Sequence, residues 1–205
     1  MERTNIAELL LTLEPKELQE FELFLDSPYF NRGKNREPLL RLFRILCESN
    51  FGEDDTHMSR KAAYERVFPG KEWVERKLEK LLVDLNKLLR HFLITRHYLR
   101  EENEFQQQLD LATIFRTKGL NERYQQLLQK LKSNQEEYPW KNVDFFFRQF
   151  QLEYAVHEYE CIYNRKKGDL NIPQVLHNLD IFYHLNRLQQ LNFFFAATKI
   201  NASRS

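Results

Sequence analysis

Side chains that bind transition metals recur along one predicted helix. Glu153, His157 and Cys161 follow one another at steps of four residues, which places them on one face of an α-helix. His177 and His184 lie on the next predicted helix, and zinc accepts this set of ligands. The spacing matches no known zinc motif, however, and His157 lies along an aromatic stripe. A histidine at the edge of the core with a hydrogen bond is the simpler interpretation, so the sequence predicts no metal and no cofactor.

Local motifs for catalysis are missing from the sequence. It contains no GxSxG, no HExxH, no glycine-rich phosphate loop and no GKS element. The acidic pairs Glu101-Glu102 and Glu136-Glu137 lie at predicted helix ends, where carboxylates are mostly exposed. Active sites also assemble from residues that are distant in sequence, but the sequence favours a protein that is not an enzyme, with no catalytic residues.

A row of basic side chains lies on a long predicted helix. We call it the basic row, and its members are Arg76, Lys80, Lys87 and Arg90. Such a row can follow the phosphates of a nucleic acid, and residues 59–90 have the outline of a helix-turn-helix. Four acidic neighbours could instead pair with the row: Glu72, Glu75, Glu79 and Asp84. The row could also dock on the acidic residues 1–58. We favour a paired or docked row and keep nucleic-acid binding as the alternative.

Two large aromatic residues, Tyr29 and Phe30, occupy a loop bounded by Pro28 and Gly33. Large aromatic side chains mostly contribute to protein cores. The sequence therefore predicts a structural aromatic plug between the second and third helices. Contact with an aromatic ligand or a peptide is the other interpretation.

Helical periodicity places these residues on an all-α framework. The segment 72–100 contains no Gly and no Pro, and its apolar residues recur at steps of three, four or seven. They are Val74, Leu78, Leu81, Leu85, Leu88, Phe92 and Leu99. We predict a central helix over 72–100, roughly 40 Å long, as the longest or second longest of about eight helices.

The second half of the chain predicts antiparallel helical hairpins. Gly119 and Gly168 separate periodic segments there. The predicted helices cover residues 104–118, 122–137, 142–166 and 171–200. Two hairpins in series are typical of an α-solenoid of the tetratricopeptide-like kind, although the tetratricopeptide signature positions are missing. We predict an N-terminal helical region, 1–100, and a hairpin region, 101–205, packed continuously on it.

Composition and charge are ordinary for a soluble globular protein. The net charge of +1 is unevenly spread: residues 1–58 carry −5, residues 59–100 carry +6 and the rest is neutral. Cys47 and Cys161 are far apart and outside any CxxC pair, which favours a reducing compartment. No apolar run approaches the roughly 20 residues of a membrane span, and the N-terminus lacks a signal-peptide pattern. We therefore expect a cytoplasmic protein without membrane contact.

Three blocks of the sequence resemble an uncharacterised all-helical family of hypothetical bacterial proteins of the Bacteroidota type. They are FELFLDSPYFN at 21–31, AYERVFPGKEWVERKLEKLLVDLNKLLRHFL at 63–93 and LDIFYHLNRLQQ at 179–190. The SPYFN block and the FPG turn are the more specific features. The resemblance implies an all-helical fold and assigns no catalytic residues. Similar proteins continue with further helices, so it also implies a short member or an N-terminal piece of a longer protein.

The function that these patterns favour is a non-enzymatic helical module or scaffold that binds another protein. Helix pairs in series commonly present such surfaces, and no chemical motif competes strongly. The alternative is a nucleic-acid-binding protein that uses the basic row.

Overall fold

The structure, a computed structural model, describes residues 2–33, 35–48, 60–163, 168 and 170–202. Regular structure within these ranges consists of nine α-helices and one 3-10 turn, without a β-strand, which confirms the predicted all-α class. The chain divides into two compact units, unit 1 (Met1–Tyr98) and unit 2 (Leu99–Ser205). None of the described helices combines the length and apolar character that crossing a bilayer requires. Continuous packing of the two regions stays a prediction.

Five helices build unit 1. They are α1 Glu2–Leu11, α2 Pro15–Asp26, α3 Arg36–Glu48, α4 Arg60–Val67 and α5 Glu75–Tyr98. The central helix α5 begins three residues later than predicted. The cause is a tertiary contact, because the Trp73 ring meets the Tyr64 ring edge-on with centroids 5.1 Å apart. This contact holds the segment before Glu75 against the end of α4 and outside the helix.

The core of unit 1 is built around aromatic rings. The Phe21 centroid lies 5.2 Å from that of Phe43 on α3 and 5.3 Å from that of Phe92 on α5. α5 buries five side chains at steps of three and four: Leu78, Leu81, Leu85, Leu89 and Phe92. Leu89 is buried in the core, whereas the predicted stripe member Leu88 is only half-buried. Predicted stripe members Val74 and Leu99 lie outside the helix and are exposed.

The loop after α2 differs from the predicted plug. Its buried residue is Asn31, whose Nδ2 donates to the Leu25 carbonyl at 3.0 Å. Phe30 stacks on Phe24 with centroids 4.1 Å apart but stays 42% exposed. Tyr29 is 68% exposed. The two aromatic residues therefore cover the edge of the core rather than fill a gap inside it.

Unit 2 begins with the 3-10 turn Glu101–Asn103 and continues with four helices. They are α6 Glu104–Thr117, α7 Asn121–Glu136, α8 Val143–Tyr163 and α9 Ile172–Ala202. α6 packs on α7, and α8 packs more extensively on α9. The pairs differ in size, since the helices of the first have 14 and 16 residues and those of the second 21 and 31. Because of this difference, a repeated, tetratricopeptide-like architecture stays a prediction.

Gly119 closes the first hairpin as the sequence predicts. Its φ is +73°, in the left-handed region that glycine adopts without a steric penalty. The Leu120 N–H donates to the Phe115 carbonyl at 2.9 Å, and the Gly119 N–H donates to Arg116 at 3.0 Å. These two bonds form a Schellman motif, which satisfies carbonyls at the end of α6.

A buried tyrosine joins the first hairpin to α8. The Tyr124 hydroxyl on α7 donates to the Ala155 carbonyl on α8 at 2.5 Å. Tyr124 is only 1% exposed and lies among Leu109, Leu128 and Leu152. Burial raises the pKa of its phenol to about 12. The hydroxyl is therefore a neutral structural donor at physiological pH.

Candidate interaction surfaces

Glu153, the first of the possible metal ligands, is bound by neighbouring protein groups. Its carboxylate is almost fully buried, and Oε1 lies 3.0 Å from the Lys132 Nζ on α7. The Asn171 Nδ2 donates to the Glu153 Oε2 at 2.7 Å and to the Glu153 carbonyl at 2.9 Å. Gln149 adds a longer bond at 3.3 Å. A buried carboxylate needs such partners, so Glu153 fastens α7 and the start of α9 to α8.

The histidines of the possible metal site, His157, His177 and His184, are likewise not placed to share a metal ion. The His157 Nδ1 lies 2.7 Å from the Leu170 carbonyl, and its Nε2 lies 3.6 Å from the Cys161 sulfur. His177 and His184 are exposed on α9. Among the described residues, no group of three or more potential ligands is placed to hold a metal ion. His157 instead connects α8 to the residues that lead into α9.

Asn171 is the residue of this region whose role sequence reasoning missed. The sequence indicates only a helix start there, whereas the structure gives Asn171 a φ of +60° beside Leu170 at +43°. Asparagine tolerates this left-handed conformation better than most residues. The conformation accompanies the two hydrogen bonds that Asn171 makes to Glu153. The signal available in the sequence was an asparagine three residues after Gly168, between two predicted helices.

Neither the acidic pairs at helix ends nor Cys47 lies in a setting that would activate it chemically. The two glutamate pairs at 101–102 and 136–137 are exposed. Burial and the nearby Glu22 raise the pKa of the Cys47 thiol to about 11. A thiol with a raised pKa is a poor nucleophile at neutral pH, since the thiolate is the reactive form. Cys47 packs against the unit 1 core.

The basic row is exposed along its whole length on α5. Within the described part of the chain, its four members make no ion pair. Glu75 and Glu79, two of the acidic neighbours, lie 3.1 Å and 3.9 Å from Arg60 of α4. Val83 and Ile94 continue the same helical face, with 46% and 66% of their surfaces exposed. The row is thus an open cationic surface with apolar residues between and beyond the charges.

The acidic N-terminal residues find other cations. Arg96, near the end of α5, pairs with Glu17 and lies 3.0 Å from the Glu20 Oε2 on α2. Glu22 pairs with Arg44 at 2.7 Å. These contacts replace the predicted docking of the row on residues 1–58, as far as the described residues extend. The described ion pairs between the acidic and basic segments are made by Arg96 and by Arg66, which pairs with Glu48, and not by the row.

The helix–turn–helix outline of 59–90 is only partly present. Residue 59 lies outside the described residues, and α4 is separated from α5 by the seven residues 68–74. The turn in a helix-turn-helix usually has three to four residues. The Pro69-Gly70 turn does occur, with Gly70 at a φ of +73°, but Trp73 extends the connection.

A large exposed apolar surface of unit 2 lies on α9. Phe193, Phe194 and Phe195 are consecutive and are 62%, 61% and 58% exposed. Successive helical residues point about 100° apart, so these rings cover more than half of the helix circumference. Leu188 and Leu176 are also more than half exposed. Water-soluble proteins rarely leave so large an apolar surface uncovered unless it binds something.

An open groove runs between the start of α8 and the second half of α9. Its volume is about 630 Å³. Val143 lines one side, and Leu185, Leu188 and Phe193 line the other. Lys141 and Asp144 contribute one charge of each sign, and Asn142, Gln189 and Asn192 complete a lining that mixes apolar and polar groups without net charge. Deeper along the hairpin the helices close, with the Phe147 and Phe182 centroids 5.0 Å apart.

Comparisons with known proteins leave the class of the molecule to its geometry. No protein-family model matches the chain, and no curated protein or solved structure matches it either. The molecule is an all-α protein with an exposed apolar helix in unit 2 and an exposed cationic helix face in unit 1.

Proposed function

We propose that the protein is a non-enzymatic helical module that binds another protein through the groove between α8 and α9. The observation that carries the proposal is the exposure of Leu188 and Phe193 on the α9 side of the groove, 58% and 62% respectively. Aromatic residues of this kind are the usual anchors of protein interfaces. The proposal extends to a cytoplasmic, bacterial protein of the family that its SPYFN block resembles.

The groove best suits an amphipathic helix as its occupant. The lining on α9 runs from Leu185 to Ala196, a rise of about 17 Å or three helical turns. Amphipathic helices dock in grooves through side chains at steps of three and four. Because Lys141 and Asp144 balance each other and polar side chains flank the leucines, the groove favours an amphipathic face with little net charge. The exposed ring of Phe193 would pack against that partner helix.

Position-specific photo-cross-linking in the native host tests this proposal. A benzophenone amino acid replaces Phe193 in one variant and the exposed Tyr29 of unit 1 in a matched control. We expect a defined protein to be cross-linked from position 193 and not from position 29. Adding Leu188→Asp, which places a charge in the groove, should abolish that product. Equal products from both positions, or a product that survives Leu188→Asp, would refute the groove as the binding site.

Nucleic-acid binding by the basic row is the second candidate. It is favoured by the exposure of all four cations and by the pairing of Glu75 and Glu79 with Arg60 instead. Four phosphate contacts predict a slope of about −3.6 for log K against log salt on duplex DNA. Fluorescence anisotropy between 50 and 200 mM salt should then show an affinity loss of roughly 100-fold. Binding that keeps this slope after all four residues are changed to Gln would exclude the row.

A further inference from the structure

The face of α9 that points away from α8 carries a second apolar surface, distinct from the groove. Val175 and Asn178 are buried toward α8, and Phe182 meets Phe147 there. Residues on the opposite side recur at steps of three and four. We call them the α9 seam: Leu176, Asp180, Tyr183, Arg187, Leu191 and Phe194. Its apolar members Leu176, Tyr183, Leu191 and Phe194 are 53%, 54%, 41% and 61% exposed.

The seam contains one acid and one base, and neither has an ion-pair partner among the described residues. Asp180 and Arg187 are both exposed. Seven residues separate them, which is about 10 Å along the axis, too far for a salt bridge within one helix. Lys199 is the other residue with a formal charge on the part of α9 whose side chains are described. The seam is therefore apolar with a single balanced pair of charges.

Such a pattern is complementary to itself when a second α9 runs antiparallel. With the two-fold axis beside Tyr183, Asp180 lies opposite the partner's Arg187, and Arg187 lies opposite the partner's Asp180. The same register sets Leu176 against the partner's Leu191. A parallel arrangement would set each charge against its own copy, which is unfavourable. Closed two-fold contacts of this kind use the same patch on both copies.

The apolar area is sufficient for a dimer. The seam's four apolar residues are flanked by Leu179, 36% exposed, and Phe195, 58% exposed. With about 200 Å² for each aromatic residue and a comparable area for leucine, these fractions amount to roughly 600 Å² of apolar surface per copy. A standard stable interface buries about 800 Å² on each partner, and about two-thirds of it is apolar in homodimers.

We propose that the chain forms a homodimer in which α9 packs antiparallel on α9 of a second copy, with Asp180 of each copy paired to the partner's Arg187. This inference goes beyond the proposed function, because the seam and the groove lie on different sides of α9. Loss of one surface should leave the other intact.

Charge reversal and its rescue test the dimer. Sedimentation equilibrium of the full chain should show a species of twice the 25.0 kDa chain mass. Asp180→Arg and Arg187→Asp should each raise the dimer Kd by about tenfold or more, because each sets like charges opposite one another. The double variant should return to the wild-type Kd. Lys130→Asp, an exposed and unpaired cation on α7, is the matched control and should change nothing.

Each contrary result is decisive. A monomer at every concentration overturns the dimer, and so does a dimer that ignores both single reversals. Failure of the double variant to recover, with its helix content unchanged in circular dichroism, overturns the antiparallel register. Groove binding is scored separately by cross-linking from position 193, so it can fail or succeed independently.

Cysteine cross-linking gives a second measure of direction. In a background with Cys47 and Cys161 changed to Ala, Tyr183→Cys should form an intermolecular disulfide, since residue 183 of each chain lies beside the two-fold axis of the dimer. Leu176→Cys should not, because antiparallel packing separates its copies by about 22 Å along the axis. Disulfides need Cα atoms within about 7 Å. Efficient cross-linking at position 176 would overturn the antiparallel arrangement.

Discussion

The longest helix of each unit meets a different environment. α5 of unit 1 directs Leu85 and Leu89 into an aromatic core where neither has any exposed surface. α9 of unit 2 has more residues but leaves Leu188 and Phe193 about three-fifths exposed. Similar apolar spacing thus gives a packed spine in one unit and an open surface in the other. The difference teaches that periodicity specifies a helix, whereas burial depends on which other elements reach it.

The largest expected effect comes from replacing one phenylalanine in each unit with alanine, which tests this contrast. Phe21→Ala should lower the free energy of unfolding of unit 1 by about 3–5 kcal/mol, since Phe21 is fully buried between Phe43 and Phe92. Phe193→Ala on α9 should change stability by no more than about 0.5 kcal/mol. Urea denaturation in dilute solution measures both. Comparable losses for the two variants would mean that α9 is covered in solution.

Asn171 allows a test of how α9 is attached to α8. Asn171→Ala should destabilise unit 2 by about 2–3 kcal/mol, because it removes two hydrogen bonds to Glu153 and leaves a β-carbon at positive φ. Asn171→Gly loses the same bonds but adopts that φ freely, so it should cost about 1 kcal/mol less. Thermal unfolding and hydrogen exchange at the start of α9 report the effect. Equal losses would show that backbone strain plays no part.

Helix positions were predictable where the signal is local. Pro15 begins α2, Gly119 ends α6, and Asn142 caps α8 with its Oδ1 2.9 Å from the Phe145 N–H. These features act within one turn of the chain, so spacing and residue type reveal them. The start of α5 was missed because Trp73 is held by Tyr64, a contact between elements.

The candidate site was less predictable for the same reason. Helical spacing correctly put Glu153 and His157 on one helix. Lys132 pairs with Glu153 and Leu170 contacts His157, and both come from other segments of the chain. The sequence also gives no indication that Arg96, rather than the basic row, receives the acidic side chains of α2. Ion pairs between elements depend on tertiary geometry that periodicity does not contain.

Tyr124 provides a pH-dependent test confined to unit 2. A pKa raised to about 12 means that the folded state favours the neutral phenol. This contribution is complete below pH 10 and is lost as the pH rises from about 10 to about 12. Tyr124→Phe should cost about 1 kcal/mol at pH 7 through the lost bond to Ala155. The difference between wild type and variant should shrink above pH 10.

The control for this measurement is Tyr154→Phe, because Tyr154 is 46% exposed on α8. It should leave stability unchanged at pH 7 and leave the alkaline decline of the wild type intact. Stability of Tyr124→Phe that falls in parallel with that of wild type between pH 10 and 12 would show that another group causes the decline. Calorimetry across pH 7 to 12 gives the comparison.

The smallest expected effect belongs to the basic row and separates its remaining interpretations. The four cations are exposed and make no ion pair with the described residues, so changing all of them to Gln should alter the stability of unit 1 by no more than about 0.5 kcal/mol. Arg96→Gln is the matched control on the same helix. It should cost about 1–3 kcal/mol, because it leaves the partly buried Glu17 without its cation.

If the quadruple variant instead lost as much stability as Arg96→Gln and exposed residues 1–58 to protease, the row would be a docking surface after all. Unchanged stability together with lost, salt-sensitive nucleic-acid binding would make it a functional surface, and unchanged behaviour in both assays would make it a solvated face.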